Sequence, residues 1–178
     1  MAPSLVETTA SAIPLVEGKI SVKGLAREPL KLSGALDAFD KFDVTPVIGR
    51  EFPNASLKEF LRAPNSDELL RDLAVTISQR GVVFFRKQDD LDDDLQKELV
   101  QRLGELSGKP KTSGLHIHPV ANSGREHSVE DDEISIISSQ QRKALYTQRN
   151  GLKQSARTEW HSDITFEPIP SDYTILRL

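Results

Sequence analysis

The stretch TEWHSDITFEPIPSDYTILRL, residues 158–178, decides how this chain is read. It holds two strand-like runs, His161 to Phe166 and Tyr173 to Leu178, parted by a turn around Pro168 and Pro170. Side chains alternate along a strand, so His161 and Asp163 share one face with Thr165, while Ser162 and Ile164 take the other. One imidazole and one carboxylate can then reach a single ion. With positions left open, that donor pair suits Fe(II) of the two-histidine, one-carboxylate kind. An isolated His-x-Asp is more often a surface pair or a hydrogen-bonded couple, so its surroundings have to decide.

Moving towards the amino terminus, Ser138 to Glu159 is a long polar segment, of the kind that is functional or mobile when it lies inside a domain. Before it, Ile134, Ile136 and Ile137 predict another strand. Leu115 to Val120 (LHIHPV) reads as short and extended, ended by Pro119. His116 and His118 repeat the period-two spacing, so a histidine-only site is open, including a zinc site of His116, His118 and His161. The plain alternative is a pair of polar residues at a strand end. Chemistry alone leaves the two pairs unranked. His127, within SGREHSVEDDE, reads as a solvated loop residue.

Further back, Leu69, Leu70, Leu73, Ala74 and Ile77 recur at helical spacing between Asn65 and Arg80, with Asn65 or Ser66 as N-cap and Asp67 and Glu68 in the first turn. Gly81 ends that helix, and Val82 to Phe85 reads as a buried strand. A second helix is predicted from Asp92 to Leu106, with Leu95, Leu99, Val100, Leu103 and Leu106 on one face and three aspartates at its positive end. Ser107 to Ser113 reads as a loop. Gly104 to Lys109 resembles a phosphate loop but is one residue short, has Pro110 where Ser or Thr should stand, and follows a helix. No nucleophile elbow and no His-Glu-x-x-His is present. Residues 1–18 read as a flexible lead-in, Lys19 to Lys23 as a short strand, and the stretch to Asp43 as an extended surface segment.

Composition narrows the classes. The 178 residues fit one domain, and 37% hydrophobic with 28% charged suits a soluble protein with long polar loops. A net charge of −4, mixed along the chain, offers no nucleic-acid face. Without cysteine there is no thiolate site and no disulfide, so a metal must be held by His, Asp or Glu. No signal peptide, transit peptide or membrane-spanning stretch is legible, which makes the cytoplasm the expected compartment.

Four blocks in order, GVVFFRKQ (81–88), the amphipathic helix ending in a Leu-Gly pair, LHIHPV (115–120) and WHSDITFEPIPSDYTIL (160–176), resemble the taurine dioxygenase (TauD/TfdA) family over roughly residues 43–178. The chain is most similar to the fungal sulfonate and alkylsulfate dioxygenases with an extended amino terminus. The resemblance implies an α+β fold with a mainly β core, the amino-terminal part of a double-stranded β-helix (jelly roll) with flanking helices. It implies an enzyme using Fe(II), O2 and 2-oxoglutarate, with succinate and CO2 as co-products. His161 and Asp163 match the family's first two iron ligands, and His118 matches a histidine that binds the sulfonate group. Two positions depart from the taurine pattern: Ala121 stands for a tyrosine and Arg157 for an asparagine. His118 and Arg157 are the candidates for binding an anionic substrate, a sulfonate or sulfate ester.

In the family a distal His ligand and an Arg that anchors 2-oxoglutarate follow the motif. All other histidines here precede His161. The expectation is therefore a segment 1–42, flexible or extended, and a partial domain 43–178, truncated after His-x-Asp and inactive alone. A homo-oligomer is open for a full-length form. The competing readings are a catalytically dead binding module and a non-iron metal-binding protein.

Overall fold

The computed structural model describes residues 28–119, 131–140 and 162–178. Six elements occur among them: β1 (Phe42–Asp43), β2 (Arg50–Phe52), α1 (Leu57–Arg62), α2 (Ser66–Arg80), β3 (Val83–Phe85) and α3 (Asp93–Ser107). The lead-in 1–18 and the strand expected at Lys19 to Lys23 lie outside the described residues.

Local chemistry sets the helix limits. Ser56 caps α1, its hydroxyl accepting from the Glu59 amide at 3.2 Å in a Ser-x-x-Glu sequence. The helix stops at Ala63, pushed to ψ 147° by the following Pro64. Helix α2 starts at Asn65 and ends at Gly81, whose φ of 70° is a conformation that L side chains resist. Asp92 caps α3, accepting from the Leu95 amide at 2.8 Å. At the other end Gly108 is left-handed, and the Gly108 and Lys109 amides close onto the Glu105 and Gly104 carbonyls.

The sheet has the order β1-β2-β3, antiparallel between β1 and β2 and parallel between β2 and β3. Phe42, Glu51 and Phe84 stand in register on one face, so Phe52 and Phe85 take the other. That second face meets the helices. Phe52 stacks on Phe85 at 5.3 Å, Phe85 meets Phe60 edge-on at 5.9 Å, and Phe60 meets Phe39 edge-on at 4.8 Å. Around them Leu57 and Leu61 of α1, Leu69, Leu70, Leu73 and Ala74 of α2, and Leu95, Leu99 and Leu103 of α3 close one core. Helix α2 packs on both α1 and α3. The α+β class is as expected, although within the described residues the core draws far more on helices than on strands.

Several local expectations are corrected. The Val82–Phe85 run is an outer strand with one open face, since β3 ends the sheet and Phe84 is 41% exposed. Residues 131–140 contain no strand, and Ile137 is exposed. The run from Asp163 to Phe166 is a turn, because Ile164 adopts φ 56° and the Glu167 amide returns to the Ile164 carbonyl at 3.1 Å. Residues 173–178 lie across the core without strand pairing: Tyr173 and Ile175 pack on it, and Arg177 binds Asp93 at 2.6 Å and the Leu91 carbonyl. The stretch before Asp43, expected on the surface, sends Leu36 into the core and ties the Ser33, Gly34 and Ala35 amides to Asp72.

Candidate functional site

Beyond the Gly108 cap, Lys109 folds back over α3. Its ammonium donates to the Ser113 carbonyl at 2.9 Å and to the Gln101 side chain. This fixes where the chain leaves the helix, and residues 114–118 then run without regular structure to His116 and His118.

The two imidazoles stand edge-on to each other, ring centroids 5.8 Å apart. Phe166 completes the group, 6.1 Å from His116 and 5.8 Å from His118, again edge-on. Each ring thus offers its positive rim to a neighbour's π face. The His116 side chain is 18% exposed, with Nδ1 3.7 Å from Glu167 Oε1. That distance is too long for a hydrogen bond, and the contact becomes an ion pair only when the imidazole is protonated. The Nε2 atom of His116 is buried and makes no hydrogen bond. The fold therefore brings the His-x-His segment against the turn that follows Asp163.

Asp163 is exposed at the entrance to that turn. The left-handed Ile164 behind it is costly for a β-branched residue, about 1–3 kcal/mol. Period-two alternation therefore does not run on from Asp163 to Thr165. His161 and Arg157 lie outside the described residues, as does Ala121. Among the described residues no three His, Asp or Glu side chains converge as a metal-binding group.

Lys97 of α3 reaches the 131–140 segment through Asp131 at 2.7 Å and Glu133 at 3.8 Å. The Asp131 hydrogen bond raises the Lys97 pKa, and the same bond lowers that of Asp131. A separate cleft lined by Ser33, Asp37, Lys41, Arg50 and Asp72 contains none of the candidate residues. Phe166 and Glu167 were missed as neighbours of the histidines. Phe166 and Glu167 sit within the same block as His161, but only the turn at Ile164 aims them at His116.

The family profile described as "Taurine catabolism dioxygenase TauD, TfdA family" matches residues 40–178. An alpha-ketoglutarate-dependent dioxygenase of Neocamarosporium betae is 52% identical over 162 residues, covering 86% of this chain and 46% of that protein. Another from Penicillium shearii is 51% identical over 156 residues, covering 85% and 41%. An alpha-ketoglutarate-dependent sulfonate dioxygenase of Saccharomyces cerevisiae is 28% identical over 139 residues, covering 74% and 28%. The chain spans less than half the length of these curated relatives. No solved structure matches it.

Proposed function

The chain belongs to the taurine catabolism dioxygenase TauD, TfdA family, and from that premise we propose that it supplies the iron-binding His161 and Asp163 of a 2-oxoglutarate-dependent dioxygenase. One observation carries the reading. The His-x-His segment and the turn after Asp163, far apart in sequence, meet through the contacts of His116 and His118 with Phe166, and the family match runs through both. A site of this kind joins its substrate-facing and metal-facing segments.

The donor set fits Fe(II): an imidazole and an exposed carboxylate, with no thiolate in the chain to favour a softer ion. Bound there, Fe(II) would supply open positions for O2 and for the keto acid. The overall conversion balances as 2-oxoglutarate and O2 giving succinate and CO2, with the second oxygen atom entering a substrate C–H bond. Asp163, on the open side of its turn, would hold the metal through a carboxylate that is not buried. His118, fixed edge-on by His116 and Phe166, would orient the substrate.

A small anion is the proposed substrate class, a sulfonate or sulfate ester, held by His118 and Arg157. The name of the yeast relative supports it. Residues 43–178 are read as the amino-terminal part of the jelly-roll domain and residues 1–42 as its lead segment. No helix among the described residues is long and apolar enough to cross a membrane, and the cytoplasm is the proposed location.

Anaerobic titration of purified residues 1–178 with Fe(II) tests the metal reading. Weak Fe(II) binding should be lost in His161→Ala and in Asp163→Ala. Binding that survives both substitutions, or a zinc site that needs His116 and His118, would overturn it. Incubation with Fe(II), O2 and 2-oxoglutarate should yield no sustained succinate, since this polypeptide has no histidine after His161 to act as third ligand.

A further inference from the structure

Residues 28–39 precede the family match, which begins at residue 40, yet much of this stretch is built into the fold. The successive amides of Ser33, Gly34 and Ala35 converge on the Asp72 carboxylate of α2. Leu36 enters the core, and Phe39 meets Phe60 edge-on. Held in this way, the segment walls a cleft of about 300 Å³ against α2 and β2. Arg50 and Phe52 flank Glu51 on β2, so they share the face turned to the helices, and both line the cleft. A cleft of this size holds a small molecule.

Its polar groups are unbalanced. The acceptors are engaged: both Asp72 oxygens take backbone hydrogen bonds, and the Asp37 carboxylate, on a side chain 80% exposed, takes one from Lys41 at 3.1 Å. The donors are not. Arg50 uses only Nε, on Asp43 at 2.7 Å, and among the described residues its Nη1 and Nη2 donate no hydrogen bond. Asp43 also faces Arg80 at 3.4 Å, so it answers two guanidinium groups at once. Lys41 donates to the Leu36 carbonyl at 2.9 Å and to Asp37, which leaves its third N–H. The Lys41 and Arg50 side chains are only 26% and 24% exposed, so their charges are partly withdrawn from water. A planar fork of free N–H groups and an ammonium lining one cleft suit a carboxylate. Leu32, 50% exposed, adds an apolar wall.

We propose that this cleft is a second binding site, for a small organic carboxylate with a short apolar tail. Arg50 takes the two oxygens through Nη1 and Nη2, Lys41 adds a further contact, and the tail lies on Leu32. The site shares no residue with the His116, His118 and Phe166 group or with Asp163, so it goes beyond the dioxygenase reading and stands whether or not that reading holds. One of its walls is supplied by chain that the family profile does not include.

Sodium butyrate is the probe. Titrated into isotope-labelled residues 1–178, it should shift the amide resonances of Ser33, Gly34, Lys41 and Arg50 saturably, with a dissociation constant of about 1–10 mM. Sodium chloride at matched ionic strength should not reproduce those shifts. Arg50→Gln and Lys41→Gln should each weaken binding about tenfold. Arg50→Lys keeps the charge but loses the fork, and should weaken it too. Folding of each variant is read from its far-UV spectrum. Should Arg50→Gln disturb folding, Lys41→Gln decides, because that side chain is partnered only within its own segment. No saturable shift at these four residues, shifts that sodium chloride reproduces, or binding unchanged in either folded glutamine variant overturns the proposal.

Discussion

Both oxygens of the Asp72 carboxylate accept backbone hydrogen bonds, from the Ser33 amide at 2.7 Å and from the Gly34 and Ala35 amides at 3.0 Å each. The side chain lies inside α2 and is 1% exposed. An amphipathic reading of α2 finds its leucines but gives no reason for an aspartate among them. The reason is that three successive amides of an entering loop converge on its carboxylate. Asp72→Ala should lower unfolding stability by about 2–3 kcal/mol, measured in urea, because three charge-assisted bonds from the entering loop are lost. At the candidate site, His116→Ala should speed hydrogen exchange in residues 162–167 by removing one ring of the three-ring group. Unchanged exchange there would show that His116 does not hold the turn.

At the scale of elements, the helices follow from short signals read in order. Asp92 accepts the Leu95 amide, and the leucines at positions 95, 99 and 103 are buried at one-turn spacing. Asp92→Ala should cost about 1 kcal/mol in a denaturant experiment, while Asp94→Ala, one residue into the helix and highly exposed, should cost less. The α2 and α3 boundaries were legible to within a residue because caps and glycines act locally. The strands were less legible. Val82 to Phe85 has the composition of a buried strand, yet its position at the sheet edge is decided by β2, and Arg50 to Phe52 carries no strand pattern of its own. Helix α1 was missed because six residues between two proline-containing turns give too short a periodicity to read.

For the molecule as a whole, paired carboxylates link stability to pH. Glu51, held chiefly by its hydrogen bond from Arg86, Asp43 by that from Arg50, and Asp131 by that from Lys97 all have pKa values lowered on folding. A lowered folded-state pKa means the contribution is present above the unfolded value, near pH 4, and is lost as pH falls through the folded value. Stability should therefore decline below about pH 4. In Glu51→Gln the difference from the parent should be largest near neutral pH and should close in acid, as read from urea midpoints. High salt should narrow it too, since the Arg86 partner is exposed.

Several conclusions came from sequence alone. The family was readable because four motif blocks stand in order, and the two longer helices because caps and spacing are local; the proposed ligand roles of His161 and Asp163 are what the family resemblance implies, since chemistry alone did not rank them above His116 and His118. Tertiary structure decided the rest. It turned the chain at Ile164 where alternation predicted a strand, and it set Phe166 and Glu167 against His116. It also gave Asp72 its three amides and left Phe42 and Phe84 on an open face. Each of these depends on partners distant in sequence, and a pattern of neighbouring residues cannot carry contacts that exist only once the chain has closed on itself.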